Sequence, residues 1–171
     1  MSHVTIPIVE SERLLLRAPS VEDFELYQKF YTDGKASSAY GGPISPADTW
    51  NRLKADLGSW YLLGFGVWVV QDKASGECLG TCGFWQGVGW PRELTWWLLP
   101  EARGKGIARE ASQAAIAHAY GSMGWNKVET YMNDENIPAR RLTERLGGVK
   151  DRRELFPDGL TRDIFLFPKP E

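Results

Sequence analysis

Cysteine and histidine are scarce in this chain, with two of each among 171 residues. That excludes a disulfide-stapled scaffold and leaves no Cys/His spacing of the kind that holds zinc. Cys78 and Cys82 stand four apart in one predicted strand. Strict alternation puts them on the same face, too far apart along an extended chain for a disulfide, so both are expected to be reduced packing residues. His3 falls in an N-terminal tail, and His118 on an alanine-rich helix, where packing or solvation is the expected role. One-sided charge is also missing: 20 basic residues face 22 acidic ones. No broad basic surface for phosphate neutralisation follows, and nucleic acid is not an expected partner. Met1 to Glu10 lacks the charged-then-apolar pattern of a secretory leader, and no apolar run approaches the roughly 20 residues that span a bilayer. The expected location is the cytoplasm, without a membrane partner.

Apolar and aromatic side chains are plentiful, at 43% and 12%. They suffice for the core of one domain, expected to cover residues 1–171. Residues 12–18 read as a first strand. Ser20-Val21-Glu22-Asp23 is a capping box opening a helix with Phe24, Tyr27 and Phe30/Tyr31 at helical spacing. Gly41-Gly42-Pro43 breaks the chain. Ser45-Pro46 then starts a second helix, with Trp50, Leu53, Leu57 and Trp60 on one face. Residues 66–70 and 78–85 form a hairpin, and 93–99 a fourth strand stopped by Pro100. Residues 104–120 form an alanine-rich helix and 128–132 a fifth strand. A helix over 135–146 is closed by Gly147-Gly148, and 155–167 make a final hairpin. This order predicts an α+β domain: a mixed, mostly antiparallel sheet of about seven strands flanked by about four helices.

The strongest chemical feature joins the fourth strand to the alanine-rich helix, where residues 103–108 read Arg-Gly-Lys-Gly-Ile-Ala. The first turn of a helix carries unpaired N–H groups and the positive end of the helix dipole, so it attracts anions. Gly104 and Gly106 let a bulky diphosphate approach the backbone, and Arg103, Lys105 and Arg109 add positive charge. The segment is neither a Walker loop nor a dinucleotide fingerprint, because the glycine spacings of both are absent.

Arg103-x-x-Gly106-x-Ala108 matches the Arg/Gln-x-x-Gly-x-Gly/Ala signature of the GNAT N-acetyltransferases. Asn136-Ile137-Pro138-Ala139 and Glu144-Arg145-Leu146-Gly147 are similar to two later motifs of that family. Ser11 to Arg17 resembles the start of the branch that acetylates ribosomal-protein N-termini. The resemblance implies the GNAT fold and acetyl-CoA as co-substrate, with no metal. By the same resemblance, the diphosphate meets the backbone of Gly104, Lys105, Gly106, Ile107, Ala108 and Arg109. The pantetheine arm pairs with Trp97, Leu98 and Leu99, and Asn136 bonds its far side.

Amine acetylation needs a base for the amine, a donor for the oxyanion and a proton for the departing thiolate. Glu93, at the start of the fourth strand, is the candidate base. The alternative for it is a strand-edge glutamate in solvent or paired with Arg92. Many relatives carry a tyrosine as acid where this chain has Leu142-Thr143, so Thr143 is the candidate donor, with water as the alternative. Gly148 replaces a usual phenylalanine and predicts a looser turn. Trp96 and Trp97 alternate across the strand. One is expected in the core, while Trp96, Trp85 and Trp90 wall an acceptor pocket that favours a cationic or flat amine. The expected function is acetyl transfer from acetyl-CoA to a primary amine, either a protein N-terminus or a small amino-acid-like amine. An acyl-CoA-binding sensor without chemistry is the alternative. Monomer and homodimer both remain open.

Overall fold

A computed structural model describes residues 3–171. Its first strand is one that periodicity misses: β1 (Val9–Glu10) is only two residues long and pairs with β2 (Leu14–Arg17). The Ser20 capping box forms, with the Ser20 N–H donating to Asp23 at 2.7 Å. It opens a short 3-10 turn that runs into α1 (Phe24–Tyr31). Ser45 caps α2 (Pro46–Leu63) by accepting from the Asp48 N–H at 3.0 Å, with Pro46 at the first helical position.

Strands β3 (Val67–Asp72), β4 (Cys78–Trp85) and β5 (Glu93–Leu98) follow, then α3 (Ile107–Gly121), β6 (Val128–Tyr131), α4 (Ile137–Arg145), β7 (Val149–Leu155) and β8 (Thr161–Phe167). The fold is α+β, with four α-helices and antiparallel strand pairing among the described residues, as the sequence order predicts. The sheet differs in one respect. Eight strands form two hydrogen-bonded sheets, β1-β2-β3-β4-β5 and β6-β8-β7, rather than one continuous sheet of seven. β5 and β6 approach each other, and the Thr130 hydroxyl donates to the Leu94 carbonyl at 2.7 Å. No ladder joins them, so one edge of β5 stays open.

The two faces of the larger sheet are covered separately. Small residues Ala111, Ala115 and Ala119 let α3 lie against Trp68, Phe84 and Leu94. On the other face α1 and α2 pack Tyr27, Phe30, Tyr31 and Leu53 against Val69 and Trp97. Trp97 stacks on Phe30, with ring centroids 4.1 Å apart and planes 9° apart. Trp96, on the other side, meets the α3 face. Their separation is the predicted alternation.

The cysteines do not share a face. Cys82 lies in the α3 core, with its sulfur 3.7 Å from the Ser112 hydroxyl, while Cys78 packs on the α1 face. The register explains this. Val70 pairs with Gly80 and Gln71 with Cys78, so Leu79 is an extra residue in β4. A bulge of one residue inverts the alternation on either side of it. Both thiols are free. His118 is a packing residue whose ring meets Trp68 edge-on at 5.6 Å.

Candidate active site

In an antiparallel pair, opposed residues alternate between those that bond each other and those whose N–H and C=O point outward. The Leu99 N–H donates to Leu79 at 2.9 Å, which places Leu99 and, two residues earlier, Trp97 in the β4 ladder. The open edge therefore presents the backbone of Leu94, Trp96 and Leu98. Of the three residues expected to pair with a pantetheine arm, only Leu98 presents its backbone to the open edge, where Trp96 joins it.

Side chains already reach this edge. The Tyr40 hydroxyl donates to the Trp96 carbonyl. Arg103 donates through Nε to Leu98 O (3.2 Å) and through Nη2 to Ala36 O (2.9 Å). The guanidinium is thus spent on fastening the segment before α2 to the end of β5, rather than standing free beside the glycines.

Beyond Arg103, Gly104 and Gly106 take left-handed φ values of 77° and 76°. The helix begins at Ile107, three residues later than the sequence predicts, because Gly106 is its N-cap. A glycine cap offers no side chain to the first-turn N–H groups, so those of Ile107, Ala108 and Arg109 are left for a ligand. A Cβ at Gly104 would meet nothing within 4 Å, which leaves the approach clear. Ile107 is buried in the α3 core with Ala108 packed against it. Lys105 and Arg109 enter no ion pair among the described residues and supply the local charge. Arg13 braces the turn, donating to the Lys105 carbonyl at 3.0 Å and to Glu110 at 2.7 Å. That brace joins residues 92 apart in the chain, and nothing local signals it.

Next to the open edge lies a cavity of about 290 Å³, lined by Glu93, Trp85, Trp90, Trp96 and Asn136, among others. Glu93 is neither in open solvent nor paired with Arg92. The Arg92 guanidinium sits over the Trp125 ring, 3.3 Å from its centroid. Burial pushes the Glu93 carboxyl up to about 8, against the opposing effects of Arg162 and a Tyr131 hydrogen bond. Across the cavity, Asp56 on α2 accepts from the Tyr27 hydroxyl at 2.6 Å, and burial raises its carboxyl to about 6. Trp85 and Trp90 meet edge-on at 5.8 Å.

Asn136 lines the cavity but also caps α4, its side-chain oxygen accepting from the Ala139 N–H at 3.3 Å. Thr143 is fully buried and does not line the cavity. Its hydroxyl donates to the Ala139 carbonyl at 2.8 Å, so it is a poor candidate for a proton donor. The turn after α4 is tight, not loose. A Cβ on Gly148 would lie 2.7 Å from Thr143 Cγ2 and 2.8 Å from its carbonyl oxygen.

The family model for an acetyltransferase (GNAT) domain matches residues 13–149, which include the glycine turn, the open edge of β5 and α4. The chain belongs to the GNAT acetyltransferases. This acetyltransferase is 27% identical over 169 residues to the uncharacterized N-acetyltransferase p20 of Bacillus licheniformis, covering 90% of this chain and 84% of that one. A crystal structure of an acetyltransferase from Agrobacterium tumefaciens matches with a TM-score of 0.88 and 28% identity, over 99% and 98% of the two chains. The ribosomal L7/L12 α-N-protein acetyltransferase RimL, solved in complex with coenzyme A, shares the fold at a TM-score of 0.76 and 15% identity, over 95% and 98% of the chains. Among the described residues no helix is long and apolar enough to cross a membrane, and no cluster of metal-ligating side chains is present.

Proposed function

We propose that this acetyltransferase moves acetyl from acetyl-CoA to a primary amine bound in the cavity, with Glu93 as the base. The observation that carries this reading is the position of Glu93: its carboxyl lines a small aromatic-walled cavity beside the open edge of β5. Acetyl-CoA supplies an activated acetyl thioester. On this reading the N–H groups at Ile107 to Arg109 hold its diphosphate, and Lys105 and Arg109 balance the charge. Outward N–H groups of Trp96 and Leu98 serve as fixed donors, one of them placed to receive negative charge on the acyl oxygen. Glu93 removes a proton from the incoming ammonium, directly or through one water, so that the nitrogen lone pair is free to attack. No side chain is assigned to protonate the leaving sulfur, and water takes that part. The cavity, at about 290 Å³, has room for a small amine or for the terminal residue of a peptide.

The test is a thermal-shift titration with acetyl-CoA, followed by thiol release against an amine panel that includes N-terminal peptides. Stabilisation by acetyl-CoA, thiol release with one amine class, and loss of that release in Glu93→Gln are expected. Stabilisation without any thiol release would turn the reading towards an acyl-CoA sensor. Absence of stabilisation would remove the glycine turn as a CoA site.

A further inference from the structure

A base for the amine does not account for Arg52. This residue lies in the middle of α2 and lines the same cavity as Glu93. Its guanidinium lies over the Tyr31 ring, 5.2 Å from the centroid. None of the ion pairs among the described residues includes it. Asp56, one turn further along α2, is held by Tyr27 instead. The other arginine of the cavity, Arg162, is fully committed. It forks onto Asp158 at 3.0 and 2.6 Å and donates to Asn133 at 2.8 Å. Arg52, by contrast, forms no salt bridge among the described residues; its charge acts on Asp56 one turn along α2 and on the Tyr31 side chain, and it stands on a different wall from the proposed base.

We propose that the acceptor is a compact amine carrying its own carboxylate, of the α-amino-acid type, with its amine at Glu93 and its carboxylate on Arg52. This rests on the reading of Glu93 above and narrows it. A planar guanidinium matches a planar carboxylate through two parallel hydrogen bonds. The tyrosine face beneath it holds the fork in orientation. With Asp56 already drawing on the same guanidinium, a singly charged carboxylate adds less repulsion beside Glu93 and Asp56 than a phosphate dianion would. Trp85 and Trp90 offer apolar surface for a side chain.

The experiment compares phenylalanine, phenylalanine amide and phenethylamine as acceptors by thiol release. It also measures binding of N,N-dimethylphenylalanine and its amide to the CoA-loaded protein by calorimetry. The dimethylated pair cannot be acetylated, so the second measurement does not depend on catalysis. The acid is expected to exceed its amide by about 10- to 100-fold in kcat/KM and in affinity, the range for a charge-assisted hydrogen bond. Arg52→Met keeps the apolar stem and is expected to bring the acid-to-amide ratio to near one, while Arg52→Lys retains part of it. The thermal shift given by acetyl-CoA should persist in both variants. Acid and amide treated alike by the wild type, or an unchanged ratio in Arg52→Met, would overturn the proposal. Thiol release absent with all three amines, combined with Arg52-dependent binding of the dimethylated acid, would reject the catalytic reading and keep this one.

Discussion

The hydroxyl of Tyr40 donates to the carbonyl of Trp96 at the open edge of β5. Two residues along that edge, the Leu98 carbonyl accepts from Arg103, whose other nitrogen holds Ala36. Residues 36–40 are thus fastened across the groove at two points, both on carbonyls that an extended ligand would also seek. A ligand arm pairing with Trp96 must first displace Tyr40. Removing that hydroxyl in Tyr40→Phe is expected to tighten acetyl-CoA about 2- to 10-fold, the value of one net hydrogen bond. Titration calorimetry with acetyl-CoA checks this, and weaker binding in the variant would count against competition at Trp96.

The pH dependence of activity follows from Glu93, whose burial lifts its carboxyl to about 8. A base must be unprotonated, so kcat/KM should climb as pH rises through about 8. Glu93→Gln should lose that limb and fall by about 10²- to 10⁴-fold. A rate profile flat across this range in the wild type would place the base elsewhere.

Stability should run the other way. The folded state holds a proton on Glu93 that the unfolded chain, with a carboxyl near its usual 4.5, has already lost. This contribution is fully present below about 4.5 and disappears as pH rises towards 8. Asp56, raised to about 6, adds a change of the same sign at lower pH. Glu93→Gln is therefore expected to melt several degrees above the wild type at pH 9 and close to it at pH 4.5, as followed by calorimetry.

Gly104 tests the glycine turn. Its φ of 77° makes any Cβ unfavourable by about 1–2 kcal/mol. The space around that Cβ is otherwise empty, so Gly104→Ala should fold. On the proposed reading its affinity for acetyl-CoA should drop by more than 10-fold, because a methyl group crowds the close approach of a diphosphate to this backbone. A thermal shift equal to the wild type's would remove Gly104 from the site.

Thr143 and Gly148 are coupled. The threonine hydroxyl bonds Ala139, and its methyl group and carbonyl fill the space that a side chain at 148 would need. Thr143→Val should leave kcat within about twofold and cost roughly 1 kcal/mol or less. Gly148→Ala should destabilise by about 1–3 kcal/mol through overpacking, read as a lower midpoint in urea. A 10-fold loss of kcat in Thr143→Val would restore the hydroxyl to the chemistry.

Much of this protein is legible in its sequence because the signals are local. Ser45-Pro46, the Ser20 box and Gly147 fix helix ends through backbone groups a few residues away. The alanine run marks the helix that must lie close to the sheet. Glycines at 104 and 106 mark the entry to that helix, but periodicity starts it at 104, and only the structure places both at positive φ ahead of Ile107. The alternation of Trp96 and Trp97 assigns one to each face. The cysteines show where this reasoning stops, since one extra residue at Leu79 inverts the alternation and nothing in the composition of β4 marks it.

Composition and local order determined the fold class, because capping, periodicity and backbone freedom act over a few residues; the family followed from the resemblance of the Arg103–Ala108 and Asn136–Gly147 motifs. Tertiary structure decided the rest. It spent Arg103 on Ala36 and Leu98, took Thr143 out of the cavity, and brought Tyr40, Arg52 and Asp56 to the cavity that Glu93 lines. Those relationships join residues tens of positions apart. Burial, desolvation and the commitment of a charge to a partner exist only once the chain has closed around them.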